Sequence, residues 1–443
     1  MKIIFIVPAI GKKKGEKYIG TWKMEPLTIA VLKSLTPLDV ETVLYDDRIE
    51  LIDYKVKADA VVIPVETYTA KRSYEIAKNF RRRGIKVILG GYHVTLIPEE
   101  AEKYADCIIT GNAEKVWNEV IEDCRCSTLK KKYKGETTYL HIQPDKSIFE
   151  GKKYVPVSLV ETGRGCCNSC EFCAIAGYYK FHYYPRPHED IVRDIKDSKH
   201  KYHFLVDDNL VADRKNTLEL FRKLEPLKIK WAGQGTLNMA KDKELLTAMK
   251  KSGCEIILIG FESLDTDNLK QMNKAVNIME AERDELVQRI HNAGIGIYAT
   301  FVFGYDNDTQ DTIKKAVEFS KKHNFYTAAF NHLLPFPGTK LYDRLKNDNR
   351  LLYDKWWLEE NYNYGELAFK PKQMSPEDLS KACQNARKEF ASFKTVFKRG
   401  IQAMKYSSPM LWSLFWIMNL SINNEIDQKI NVPIGRNLDE FPK

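Results

Sequence analysis

Four of the nine cysteines fall within eight residues, Cys166 to Cys173, in the stretch GRGCCNSCEFC (Gly163–Cys173). Three of them, Cys166-x3-Cys170-x2-Cys173, have a spacing at which thiolates can hold three irons of a 4Fe–4S cluster and leave the fourth without a protein ligand. A cluster built for storage or electron transfer normally has four cysteines, and a structural zinc site takes four ligands, typically as two separated pairs. The open position therefore predicts chemistry at the cluster. Cys167 is adjacent to Cys166, and consecutive side chains do not readily face one cluster, so it is expected to be a packed bystander.

Those cysteines need a scaffold, and the sequence predicts one. Apolar runs at Ile3–Val7, Thr42–Asp46, Ala60–Val65, Lys86–Gly91 and Cys107–Gly111 alternate with amphipathic helical patterns such as PLTIAVLKSL and SYEIAKNFRRRG. That alternation predicts a doubly wound, Rossmann-like parallel sheet over residues 1–126, covered on both faces. Ligands of such sheets sit beyond the carboxyl ends of the strands, where Gly90, Gly91 and Gly111 fall. No G-x-G-x-x-G follows the first strand, which argues against a nicotinamide or flavin dinucleotide. Residues 127–153 are polar and lysine-rich and are expected to be a linker.

A second alternation occupies residues 154–345. Strands are predicted at Val157–Thr162, His203–Asp208, Ile229–Gln234, Glu255–Glu262, Gly296–Gly304 and Thr327–Leu334, with helical patterns in every gap but the last. Six such units predict a partial (β/α)6, TIM-like barrel with its chemistry at the carboxyl ends of the strands. The cysteine stretch follows the first of these strands, and polar residues end the others: Asp208, Gln234, Glu262 with Ser263, and Gly304. Gln234 either faces the site or satisfies a neighbouring turn. The stretch GYYKFHYYPRP (Gly177–Pro187) either lines a substrate pocket or packs between domains. Residues 346–443 turn mainly helical, with Ser375 as an N-cap followed by Pro376. The apolar helices there either cap the barrel over an apolar substrate or form plain core.

The net charge of +9 is spread among acidic residues, which argues against nucleic-acid binding. No run of about 18 apolar residues predicts a transmembrane helix. At the N-terminus, MKIIFIVPAIGKKKG has its charge after the apolar run rather than before it, unlike a secretory signal. A cytoplasmic location is expected, where clustered cysteines more often bind metal than pair.

The cysteine motif resembles that of the radical S-adenosylmethionine (SAM) superfamily, and the resemblance extends over roughly Tyr154 to Leu341. It implies that Cys166, Cys170 and Cys173 ligate a 4Fe–4S cluster whose open iron takes the amino and carboxylate groups of SAM. It also implies that Phe172 lies near the adenine and Asp208 near the methionyl amino group, that Glu262 and Ser263 bind ribose or carboxylate, and that adenine rests on the backbone at Gly304. An external electron donor of flavodoxin or ferredoxin type follows from the same chemistry. The first domain, through VILGGYHVTLIPEEAEKYADCIITGNAEKVW, resembles the cobalamin-binding domain of one large subfamily, which points to Gly90, Gly91 and Gly111 as a corrinoid seat. The D-x-H-x-x-G motif is absent, so no protein histidine is expected on cobalt.

The function implied is functionalisation of an unactivated carbon in a small-molecule or lipid-like substrate, with cobalamin-dependent methylation leading. The enzymatic alternative is cobalamin-free chemistry: rearrangement, cyclisation or 3-amino-3-carboxypropyl transfer, for example to arsenic. The last is suggested by the resemblance of x-C-C-x-x-C to an arsenic-metabolising member. A non-enzymatic iron–sulfur redox or binding protein is the remaining reading. No catalytic side chain is singled out.

Overall fold

In a computed structural model of the chain, all residues are described except 137–140, 275–279, 405–406 and 440–443. Six strands form the first sheet: β1 (Lys2–Val7), β2 (Glu41–Asp46), β3 (Ala60–Pro64), β4 (Lys86–Gly90), β5 (Cys107–Thr110) and β6 (Lys132–Lys134). All pairings are parallel, in the order β2-β1-β3-β4-β5-β6.

Alternation along each strand divides the side chains between two cores. Ile4, Ile6, Val61, Ile63, Val87 and Leu89 pack with Ile76 and Phe80 of the helix Ala70–Arg81. Ile3, Phe5, Val62 and Ile88 pack on the other face with Ile29, Trp117 and Ile121 from the helices Leu27–Leu35 and Trp117–Arg125. Two buried faces are why these strands read as continuous apolar runs. The direction of strand order reverses between β1 and β3, which opens a crevice at their carboxyl ends.

The stretch expected as a linker contributes β6 and a short 3-10 helix, Lys146–Phe149; its residues 137–140 lie outside the described residues. On β6 only Tyr133 is buried, between exposed Lys132 and Lys134. One inward residue in three gives an edge strand a polar composition.

The second sheet contains β7 (Ser158–Val160), β10 (Tyr202–Leu205), β11 (Lys230–Gly235), β12 (Cys254–Glu262), β13 (Gly296–Phe303) and β14 (Thr327–His332). All six are parallel and neighbours in chain order, so the sheet curls into an open barrel with β7 and β14 as edges. Between β7 and β10 the chain forms a small antiparallel hairpin of β8 (Gly163–Gly165) and β9 (Tyr183–Pro185), which carries the cysteines.

Beyond the barrel, residues 348–375 form an irregular strap that returns to the first domain, where Trp356 and Trp357 are buried in its core. The helix Pro376–Phe390 starts at the expected cap, the Ser375 hydroxyl accepting from Asp378 N at 3.1 Å. A helical hairpin, Phe393–Ala403 and Pro409–Lys429, then closes the amino-terminal end of the barrel. There Arg399 donates to the carbonyls of Phe325 and Tyr326 at 3.0 and 3.1 Å, and Tyr326 donates to the Leu411 carbonyl at 2.9 Å. Of the two expectations for these helices, a cap over the catalytic mouth is therefore excluded: they sit at the opposite end. Among the described residues no helix is long and apolar enough to cross a membrane.

Candidate active site

The cysteine loop leaves β8 and returns through the helix Ala174–Tyr179 to β9. Two adjacent aspartates after β10 hold the hairpin. Asp207 accepts from Thr162 N at 2.8 Å, Thr162 Oγ1 at 2.6 Å and Tyr183 OH at 3.2 Å. Burial pushes its carboxyl up to about 7 in spite of those bonds. Asp208 accepts from Gly165 N at 2.9 Å, one residue before Cys166, and Gln234 Nε2 donates to the Asp208 carbonyl at 3.0 Å. Burial raises Asp208 to about 6.

The far side of the loop is tied to the ends of β12 and β14. Glu171 N donates to the Met272 carbonyl and Leu341 N to the Glu171 carbonyl, both at 3.0 Å. Asn273 Nδ2 donates to Ser169 Oγ at 2.6 Å, and Arg344 Nη2 to Glu171 Oε1 at 2.6 Å.

Cys166, Cys170 and Cys173 are half-buried and Cys167 is exposed. Burial raises all three half-buried thiols, Cys170 to about 11; the charges of Cys173 and Cys166 raise Cys170 further, that of Cys166 raises Cys173, and those of Asp208 and Cys167 raise Cys166. Three thiolates so close in a half-dry pocket need a positively charged partner, which a metal cluster supplies. No three His, Cys, Asp or Glu side chains among the described residues converge as ligands of a single ion would. A cubane, whose three irons each take one thiolate, does not require such convergence. The donor set fits a 4Fe–4S cluster.

Glu262 ends β12 beside Cys170. It has a left-handed backbone (φ 61°) at a break in the β12–β13 register, and its carboxylate pairs with Lys274 at 2.8 Å. Lys274 also donates to the Gly260 carbonyl at 2.5 Å. A Cβ at Gly260 would stand 2.1 Å from Glu262 Oε1, so the glycine lets this acid fold back toward the cysteines. Cys166, Cys170, Cys173, Asp208, Gln234 and Glu262 are thus brought together, and Phe172 packs beside them on the barrel core.

Ser263 and Gly304 make local contacts at their strand ends. Ser263 is buried and its hydroxyl accepts from Asp265 N at 3.0 Å, so it caps the following loop. At Gly304, φ is 124° and an added Cβ would meet Phe369 at 2.7 Å, so Phe369 packs against the bare Cα on that side.

A cavity of about 290 Å³ lies between the two sheets. Its floor is the carboxyl ends of β3, β4 and β5, including Gly90, Gly91 and Gly111, and its roof is Arg164, Tyr178 and Tyr179 from the cysteine hairpin. Gly91 and Gly111 have positive φ and press against the backbone of Val65 and Gly135, at 2.9 and 2.6 Å from an added Cβ. Gly90 differs: a Cβ there would make only ordinary contacts, the nearest at 3.7 Å. Its missing side chain leaves the wall bare.

The two mouths are joined across this space. Arg164 pairs with Glu114 of the first domain at 2.6 Å and with Glu161 at 2.8 Å. Tyr178 donates to Asn112 Oδ1 at 2.8 Å and packs against Tyr92 with the rings tilted by 58° and 4.8 Å apart. Within Gly177–Pro187 both expected roles occur: Tyr178 and Tyr179 line the cavity, Tyr183 braces the hairpin, and Phe181 and His182 are exposed.

Glu66, after β3, was not foreseen. Its side chain lines the cavity and is accessible there, and burial raises its carboxyl. Among the described residues, no histidine lines the cavity. His93 of the GGYHVTLIPEEA motif is instead fully buried, its Nε2 3.1 Å from Glu100 and its Nδ1 3.2 Å from Thr67.

An open six-stranded barrel with three half-buried thiols in one loop at its mouth is the arrangement at the site, and comparison with known families bears on it. The model of the radical SAM superfamily matches residues 160–320. Those residues carry a radical SAM domain. It is 28% identical over 376 residues to bacteriochlorophyllide d C-8(2)-methyltransferase of Chlorobaculum tepidum, covering 79% of this chain and 82% of that one. Two solved structures share the fold. One is the radical SAM methyltransferase TsrM from Kitasatospora setae with cobalamin and a [4Fe-4S] cluster bound (TM-score 0.63, 15% identity, 78% of this chain and 75% of that one). The other is the cobalamin-dependent radical enzyme OxsB with aqua-cobalamin and SAM bound (TM-score 0.68, 14% identity, 96% and 71%).

Proposed function

We propose that this protein is a cobalamin-dependent radical SAM methyltransferase acting on an unactivated carbon of a small-molecule substrate. The observation that carries the reading is the shared cavity: the carboxyl ends of the first sheet and the cysteine hairpin of the barrel face each other across one partly open cleft. The methyltransferase name of the Chlorobaculum relative and the cobalamin of the two solved neighbours point the same way.

In this reading Cys166, Cys170 and Cys173 hold three irons, and Cys167 holds none. Phe172, Asp208, Gln234 and Glu262 form the wall against which SAM binds, with Lys274 keeping Glu262 oriented. The bare wall at Gly90, with Gly91 and Gly111, seats the corrinoid without a histidine on its lower face. When bound, the cluster and SAM supply a carbon-centred oxidant of unactivated C–H bonds, and cobalamin supplies the methyl group. The chain's own work is to hold these parts facing one substrate atom and to exclude water, as Tyr92, Tyr178 and Tyr179 do around the cavity. Glu66 holds a proton more readily than an exposed glutamate and presents it inside that space. The electron comes from an external flavodoxin- or ferredoxin-type donor, and the setting is the cytoplasm.

A corrinoid is larger than this cleft, so binding it has to open the cleft further. Titrating the reconstituted protein with hydroxocobalamin, followed by absorbance and by paramagnetic resonance of the reduced cobalt, tests the proposal. One corrinoid per chain without a nitrogen signal from a protein histidine supports it. No binding at micromolar concentration would leave cobalamin-free radical chemistry.

A further inference from the structure

The C-terminal helical hairpin is amphipathic in a way that closing the barrel does not explain. Residues 390–424 are 35 consecutive positions without a single Asp or Glu, in a chain that has 60 of them, and they contain Lys394, Lys398, Arg399 and Lys405. On the helix Phe393–Ala403, Val396, Arg399, Gly400 and Ala403 face inward. Gly400 fixes that orientation, because an added Cβ would lie 2.4 Å from the Trp416 ring of the partner helix.

The opposite face is apolar and uncovered. Phe393 is 70% exposed, Phe397 51%, Ile401 51% and Met404 61%, and Ile417 on the second helix is 62% exposed. Spaced four, four and three residues apart, the first four form one continuous stripe. Lys394 and Lys398 are exposed beside the two phenylalanines, and neither enters an ion pair among the described residues. The nearby carboxylates of Glu389 and Asp427 are already paired with Lys321 and Lys388.

Aromatic residues interleaved with lysines on one exposed helix face, and no negative charge for 35 residues, match the chemistry of a bilayer's interfacial zone. Apolar side chains enter the acyl boundary while lysines meet anionic headgroups. We propose that this hairpin docks the protein on the surface of an anionic lipid bilayer, lying in the interface without crossing it. The inference is independent of the proposed reaction. It places the catalytic mouth at the end of the barrel away from the lipid.

The test uses the full chain and extruded vesicles of phosphatidylcholine with 30% phosphatidylglycerol, scored by co-sedimentation. Wild-type protein should bind these vesicles at least tenfold more tightly than pure phosphatidylcholine, with the binding weakened by 0.5 M KCl. Phe393→Ser with Phe397→Ser should lower vesicle affinity at least tenfold, and Lys394→Glu with Lys398→Glu should do the same. Circular dichroism and cluster-dependent SAM cleavage should be unchanged in both double variants. Three outcomes would overturn the proposal. One is wild-type protein that ignores anionic vesicles. Another is undiminished binding by the serine variant, which would leave only the chain's general positive charge. The third is light scattering showing a dimer that the serine substitutions dissociate while vesicles are ignored, which would make a second copy the occupant of this face.

Discussion

Replacing Glu100 with alanine removes an acceptor on which two parts of the chain converge. The carboxylate is 4% exposed. It accepts from His93 Nε2 at 3.1 Å, Tyr74 OH at 3.1 Å and Trp357 Nε1 at 2.9 Å, and pairs with Lys355 at 2.8 Å. His93 and Tyr74 belong to the first domain, Trp357 and Lys355 to the strap that follows the barrel, so the bonds clamp the two sheets mouth to mouth. Each buried donor left unsatisfied costs about 1–3 kcal/mol, so losing the acceptor for three of them should destabilise the protein by about 3–9 kcal/mol. Glu100→Gln keeps one acceptor oxygen and should cost about half as much.

The sign with pH follows from the same contacts. Burial alone would raise this acid, but the bonds from His93, Lys355 and Trp357 outweigh it and lower it from 4.5 to about 2. A carboxylate lowered by folding stabilises above its unfolded pKa. About 3 kcal/mol is therefore present above pH 4.5 and disappears as pH falls toward 2. Urea unfolding followed by tryptophan fluorescence, at pH 7 and pH 4, measures both effects. An alanine variant within about 1 kcal/mol of wild type at pH 7 would refute the clamp.

Other substitutions separate the roles of neighbouring residues. Alanine at Cys166, Cys170 or Cys173 should abolish SAM cleavage, whereas Cys167→Ala should retain iron and cleavage, both read from iron content and nucleoside products. Gly90→Leu should weaken hydroxocobalamin uptake at least tenfold while the unfolding midpoint stays put, because the new side chain enters the cavity rather than the backbone contacts; unchanged affinity would remove the corrinoid from this wall. Asp208→Ala frees the Gly165 amide beside Cys166, so iron per chain should fall in anaerobic reconstitution, with Asp208→Asn restoring it; full loading of the alanine variant would make Asp208 irrelevant to the loop.

Both sheets were legible because their strands are short, apolar and punctuated by amphipathic helices with clear period. The cysteine loop was legible because it is contiguous in sequence. What escaped was created by tertiary proximity. Lys274 has no local signal and matters only because β12 ends opposite the cysteines. Glu66 resembles any loop glutamate until the barrel roofs the first sheet. Ser263 and Gly304 occupy strand ends as site residues would, and their local contacts with Asp265 and Phe369 became visible only in the fold. The histidine of GGYHVTLIPEEA stands in a motif that resembles a cofactor-binding domain, and its place is a buried clamp. Position along a strand locates a mouth; only neighbours show which way a side chain is employed.

The most direct test of the account is product analysis. Anaerobically reconstituted, reduced protein is incubated with SAM carrying a deuterated methyl group, with and without hydroxocobalamin, and the products are resolved by mass. The account predicts 5′-deoxyadenosine in both cases, absent from the Cys170→Ala variant. It also predicts S-adenosylhomocysteine, with the label recovered on cobalamin, only when cobalamin is present. Methylthioadenosine in place of 5′-deoxyadenosine, or 5′-deoxyadenosine with no labelled cobalamin, would contradict it.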